Sequence, residues 1–192
     1  MIKILGGVAR GFPLTTPKSD STRPTSVIIK RKIFDWRQNL EGYQFVDICA
    51  GSGAMAFEAL SRGASKVAVN DSLRGAFLTL KKNQELLLAA FKFNASSIVV
   101  TNSDAKNWVQ KELKYQFPDT EDVIFYLDPP YEDHKLYFEI IEILKKNGFS
   151  GEVWIESERL AGPKLEEITR VFHSIIKTVE QGDHFVVLGK LI

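Results

Sequence analysis

Asp128-Pro129-Pro130-Tyr131 is the stretch of this chain whose residue types and order specify a reaction most directly. It follows the apolar run Val123 to Leu127, so it leaves the end of a buried strand. A carboxylate, a carbonyl kept out of helical geometry by two prolines, and an aromatic ring then stand side by side. That set suits an amino group conjugated to a ring, a poor nucleophile because its lone pair is delocalised. The Asp128 carboxylate and the Pro129 carbonyl can each accept one N–H, turning the lone pair toward an electrophile. Pro130 keeps the loop stiff, and Tyr131 offers a face on which a flat base can stack. The competing reading is a stiff loop after a buried strand, with no chemistry.

A second set, Asp47-Ile48-Cys49-Ala50-Gly51-Ser52-Gly53, closes an earlier β-rich run and opens a helix, a place where ligands bind outside strand ends. Gly51 and Gly53 let the backbone turn tightly and approach a ligand, with Ala50 and Ser52 between them in the same turn. The spacing also satisfies a dinucleotide fingerprint, and Asp71, after the next strand, stands where a carboxylate would hold a ribose diol. Asp47 separates the two cofactors. A pyrophosphate is repelled by a carboxylate facing it, whereas the cationic methionine end of S-adenosylmethionine (SAM) is attracted. Asp104-Ala105, after the third strand, can accept from an adenine amino group, and Asp104 suits a helix N-cap equally well. Transfer from a sulfonium needs positioning rather than a metal, and His134, His173 and His184 have no ligand spacing.

These residues need a scaffold that brings several strand ends together. Short β-rich runs alternate with helical patterns, which predicts a parallel sheet in an α/β Rossmann-like fold, and the turn suited to SAM makes a methyltransferase fold the expectation. The strands are Gln44 to Ile48, Lys66 to Asn70, Ser97 to Val100, Val123 to Leu127 and Glu152 to Glu156. Helices fall at Ala54 to Ser61, Leu73 to Phe91, Ala105 to Leu113 and His134 to Lys146. Arg170 to Glu180 and His184 to Ile192 flank Gln181-Gly182-Asp183 and read as an antiparallel hairpin completing a seven-stranded sheet. Ile2 to Thr16 predicts a small hairpin and Thr25 to Asn39 a helix.

The 192 residues suit one domain, a basic extension over residues 1–40 preceding a catalytic core over 41–192. No run of about 20 apolar residues spans a membrane, and no signal-peptide pattern opens the chain. Cys49 is the sole cysteine, which excludes an internal disulfide and fits the cytoplasm. The net charge of +1 conceals a division: residues 1–40 carry eight lysines and arginines against Asp20 and Asp35, about +6, leaving about −5 elsewhere. A basic arm on such a body suits a polyanion such as RNA.

Several separated stretches resemble the RsmD family, bacterial methyltransferases acting on the N2 amine of a guanine in small-subunit ribosomal RNA. They are Leu5-Gly6-Gly7 through Arg10-Gly11, Thr22-Arg23-Pro24-Thr25, Ile33 to Trp36, Asp47 to Gly53 with Glu58 to Ala64, Asp128 to Tyr131, and Ile155 to Glu158. The resemblance implies that Asp47, Ala50, Gly51, Ser52, Gly53, Asp71, Asp104 and Ala105 bind SAM. It implies that Asp128, Pro129, Pro130 and Tyr131 hold the guanine. RNA contacts are expected from Arg10, Arg23, Thr25 and Lys30, with the small subunit or an assembly intermediate as partner. The chain departs from the family in the apolar Ser26-Val27-Ile28-Ile29, in Arg31 and in Leu73. Three other readings stay open: a DNA adenine or cytosine amino-methyltransferase, a non-catalytic RNA-binding assembly factor that keeps the fold, and, last, a nicotinamide oxidoreductase.

Overall fold

The computed structural model describes residues 2–17 and 27–192. Five parallel strands run from one edge of a seven-stranded sheet: β3 (Gln44–Asp47), β4 (Lys66–Asn70), β5 (Ile98–Thr101), β6 (Val123–Leu127) and β7 (Glu152–Glu158). β8 (Ser174–Gln181) and β9 (His184–Lys190) complete it as an antiparallel hairpin, β9 lying against β7. The spatial order is β5-β4-β3-β6-β7-β9-β8. The chain winds outward from β3 in one direction and returns beside it as β6, so the order reverses between these two strands. A crevice opens above their carboxyl ends for that reason.

Side-chain alternation divides the interior into two layers. Phe45, Tyr126 and Trp154 point into one, packing with α1 (Val27–Trp36), α2 (Ala54–Ser61) and α3 (Arg74–Ala90). Val46, Phe125 and Val153 point into the other, against α4 (Ala105–Lys111), α5 (Leu113–Gln116), α6 (His134–Lys146) and α7 (Leu165–Thr169). All five residues of β6 are buried, as a central parallel strand covered on both faces requires.

Local chemistry explains the departures from the expected boundaries. The third strand begins at Ile98 because Asn94 accepts from Ser96 N–H at 3.0 Å and starts a 3₁₀ turn over Ala95–Ser97. The helix expected to run to Leu113 breaks at Glu112 and resumes as α5. α7 was not anticipated: Glu167 accepts from Lys164 N–H at 2.8 Å and closes a helical turn, which delays the following strand to Ser174.

The front hairpin reduces to β1 (Ile2–Lys3) paired with β2 (Pro13–Leu14). The intervening chain docks on α2 instead. Glu58, completely buried, accepts Leu5 N–H at 2.7 Å and Gly6 N–H at 2.8 Å. Ser61 Oγ donates to the Gly6 carbonyl at 2.6 Å and accepts Ala9 N–H at 2.9 Å. Gly7 has φ +73°, and a Cβ there would lie 1.8 Å from the Ser61 carbonyl oxygen. Only glycine permits that approach.

Candidate active site

β3 ends in Asp47, and the chain must turn back over the sheet to begin α2. It does so with φ +52° at Gly51 and +78° at Gly53. The two glycines serve different ends. A Cβ on Gly53 would meet the Phe57 ring at 2.4 Å, so this residue is required by packing beneath the turn and does not line the cavity above it. A Cβ on Gly51 would meet no protein atom within 4 Å, because Gly51 faces the cavity.

The tip of β4 braces this turn. Asp71 accepts Gly51 N–H and Leu73 N–H, each at 2.9 Å, one on each carboxylate oxygen. Asn70, which sequence reading passed over, is buried and donates to the Ile48 carbonyl at 3.2 Å and the Ser103 carbonyl at 2.9 Å. One amide thereby fastens the tips of three neighbouring strands. Asn looks like an ordinary strand-end residue in the sequence, and nothing there signals this role.

These tips surround a cavity of about 590 Å³, within the usual range for a small-molecule site. Asp47, Ala50, Gly51, Ser52 and Asp71 line one end of the set, with Asp104 and Ala105 beside them and Asp128 to Tyr131 following from β6. Asp104 caps α4 by accepting Asn107 N–H at 3.0 Å while still facing the cavity. The cavity walls also include Thr16 and Pro17 from the front segment.

The electrostatics are those of crowded carboxylates. Asp47 Oδ1 is buried with no hydrogen-bond partner among the described residues. Burial, then the charge on Asp71, pushes the Asp47 carboxyl well above its ordinary range. Asp128 is pushed up likewise, by burial and by Glu156 and Asp47. Asp71 rises less, because the two N–H groups favour its charged form. Among the described residues lining the cavity there is no Lys or Arg, so a cation entering it is what favours the ionised forms of these carboxyls.

Behind Asp128 lies a network that the sequence did not reveal. Glu156, fully buried on β7, accepts from the Tyr126 and Tyr131 hydroxyls, the second at 3.3 Å. The Tyr131 hydroxyl also lies 3.2 Å from His184 Nδ1 on β9. Burial raises the Glu156 carboxyl to about 7, opposed by its two tyrosine donors. The Tyr137 hydroxyl shares its one hydrogen between the Pro129 carbonyl at 3.2 Å and the Glu156 carbonyl at 3.0 Å. The Asp-Pro-Pro-Tyr loop is therefore held from below at its second residue and at its fourth.

The expected polyanion contacts divide. Arg10 is exposed. Arg23 and Thr25 lie outside the described residues. Lys30 is a correction: it is 1% exposed, 3.4 Å from Glu58, and donates to the Lys3 carbonyl at 3.1 Å. It faces inward because α1 buries the stripe of Ile29, Ile33 and Phe34 beside it, and the Glu58 carboxylate under that stripe attracts an ammonium. Ile29, part of the apolar departure from the family pattern, belongs to the core, while Val27 and Ile28 are exposed. Among the described residues no group of three or more His, Cys, Asp or Glu is arranged to hold a metal ion, and no helix is long and apolar enough to cross a membrane.

Comparison with known proteins agrees with this geometry. The family described as "Conserved hypothetical protein 95" matches residues 2–189. The Escherichia coli (strain K12) protein named ribosomal RNA small subunit methyltransferase D is 33% identical over 161 residues, covering 82% of this chain and 75% of that one. The protein of the same name from Haemophilus influenzae is 30% identical over 163 residues, covering 82% and 79%. The solved structure of yhhF from Escherichia coli superposes with a TM-score of 0.76 at 28% identity, over 97% of this chain and 96% of that one. The chain therefore belongs to the "Conserved hypothetical protein 95" family, the RsmD family of small-subunit ribosomal RNA methyltransferases.

Proposed function

We propose that this protein transfers a methyl group from SAM to the exocyclic N2 amine of a guanine in small-subunit ribosomal RNA, in the cytoplasm, on the small subunit or an assembly intermediate. The observation that carries the reading is a single cavity lined both by Asp47, with its buried, unpartnered carboxylate oxygen, and by the Asp128-Pro129 acceptor pair. SAM, when bound, supplies an electrophilic methyl on a sulfonium and departs as a neutral thioether.

The residues present fit that cofactor. Asp47 Oδ1 is a vacant acceptor suited to an ammonium. Asp71 presents a carboxylate already oriented by two backbone donors, with lone pairs remaining for a ribose diol. The space above Gly51 is the space a Cβ would take.

At the other side, Asp128 and the Pro129 carbonyl accept the two N–H bonds of the amine. Among the described residues no donor occupies the Asp128 carboxylate, and Tyr137 holds the Pro129 carbonyl through one lone pair, leaving the other. As the nitrogen becomes cationic, Asp128 stabilises the developing charge and can take the released proton. Tyr131 limits one face of the opening, its ring fixed by the hydroxyl's contacts to Glu156 and His184. Substrate class rests on the relatives' names and on the basic residues of the front segment.

The test is tritiated methyl transfer from SAM to undermethylated small subunits, to naked ribosomal RNA and to duplex DNA, beside calorimetry of SAM binding. Incorporation into the subunit at guanine N2, abolished by Asp128→Ala, is the expected outcome. No SAM binding, or incorporation only into DNA, overturns the reading.

A further inference from the structure

The cofactor cavity has a wall that does not come from strand tips. Thr16 and Pro17 supply it, at the end of the front segment, more than 30 residues before Ser52 in the opposing turn. Two such distant pieces of chain keep a fixed separation only if something rigid joins them. α3 runs beneath both, and Asn83 on it is completely buried.

Its carboxamide makes three hydrogen bonds. Asn83 Oδ1 accepts Thr15 N–H at 2.9 Å, and Nδ2 donates to the Thr15 carbonyl at 2.9 Å and to the Ser52 carbonyl at 2.9 Å. The first two bonds pair the amide with the backbone of one residue as a neighbouring strand would. The third reaches the glycine turn. An amide is the side-chain group that suits this arrangement, because it combines an acceptor with two donors on one planar head. A rotation that exchanges oxygen and nitrogen loses all three bonds at once.

We infer that Asn83 is a positioning residue of the cofactor site, setting the distance between the Thr16-Pro17 wall and the Ser52 turn through one buried carboxamide. It touches neither cofactor nor substrate. With the amide removed, the two walls are held only through their separate attachments, and the cavity has no fixed width for the bound molecule to fill. The loss falls on cofactor binding rather than on the methyl-transfer step, whose acceptors Asp128 and Pro129 lie in the loop between β6 and α6. This inference rests on the cofactor reading above.

The experiment compares wild type with Asn83→Leu, which keeps volume and removes every bond, and Asn83→Asp, which keeps shape and turns acceptors toward the Ser52 and Thr15 carbonyls. S-adenosylhomocysteine, the neutral product form, is the probe, titrated by calorimetry, with kcat and KM for SAM measured on undermethylated subunits. We expect its affinity to fall about tenfold or more and KM for SAM to rise in parallel, with kcat changed less than about threefold. A purely structural role lowers Tm and leaves this split absent. Hydrogen exchange on the wild-type chain gives a reading that needs no variant: bound S-adenosylhomocysteine slows exchange at the Thr15 amide together with the Ala50 to Gly53 amides. Folded variants with wild-type affinity, or protection of the turn with the Thr15 amide unaffected, overturn the inference alone. A wild-type chain that binds neither SAM nor its product overturns the cofactor reading, and this inference with it.

Discussion

Asp128 gains its reactivity from what surrounds it rather than from the carboxylate alone. Buried beside Asp47 and Glu156, it holds its proton more tightly than an ordinary aspartate, and it accepts strongly once a cationic centre forms nearby. Asp128→Asn keeps one acceptor oxygen and Asp128→Ala keeps none. We expect kcat to fall at least about 100-fold in the alanine variant and clearly less in the asparagine variant, with product affinity in both within about threefold of wild type. Methyl incorporation and calorimetry together check the order. Glu156 makes a different prediction. Its carboxyl sits at about 7, against 4.5 ordinarily, so the folded state binds its proton more tightly than the unfolded chain does. Stability is then greatest below the ordinary value and falls as pH rises toward the folded one. Glu156→Gln resembles the protonated form and keeps partners for both tyrosines. Its Tm should decline less than that of wild type between about pH 5 and pH 8, by several degrees, in thermal melts followed by circular dichroism.

At the scale of elements, α2 is the piece that joins site to arm. Its start is the glycine turn, and its end carries Glu58 and Ser61, which hold the Leu5 to Ala9 segment. Arg62 Nε lies 2.8 Å from Glu58, so this buried carboxylate has two cations and two backbone donors. Lys30 thus helps neutralise a buried charge and is not presented to RNA. Lys30→Met should leave RNA affinity and its salt dependence within about twofold of wild type, because Glu58 retains Arg62 and both N–H donors. Arg10→Ala should weaken RNA binding and reduce the slope of log affinity against log salt by about one unit. Filter binding over a salt series distinguishes the two. Gly7→Ala places a methyl in the Ser61 carbonyl and forces a left-handed residue to bear a Cβ. A cost of about 2 kcal/mol or more is expected, read as a lower Tm.

For the whole molecule, the dominant fact is a concentration of negative charge at the top of the sheet and of positive charge in the first 40 residues. Asp47, Asp71 and Asp128 are all pushed upward, chiefly by burial, so each holds its proton more tightly than an ordinary aspartate when no cation is bound. A cationic ligand favours the ionised forms and releases protons as it binds. SAM affinity should therefore rise with pH as these carboxyls ionise, above the ordinary aspartate range, while the neutral thioether product shows a shallower dependence. Calorimetry in buffers of differing ionisation enthalpy counts the protons directly. A slope of opposite sign, or none, contradicts this account.

Much of the site was legible in the residues because its chemistry is local. Asp47 to Gly53 and Asp128 to Tyr131 are short contiguous segments, and β-rich runs alternating with helical patterns place each at a strand tip. Which strand tips converge follows from the same alternation, since parallel strands joined by helices wind about a switch point. Lys30, Asn83 and Glu156 were decided only in three dimensions. Lys30 was assigned outward from a count of charges, and a carboxylate 28 residues away turned it inward. Asn83 stands in a stretch with no motif and Glu156 in one that carries family resemblance but no stated role, and their partners lie 68, 31 and 25 residues distant. A buried polar side chain takes its function from the groups that satisfy it, and those groups are brought together by packing of the two layers against the sheet rather than by any neighbour in the chain.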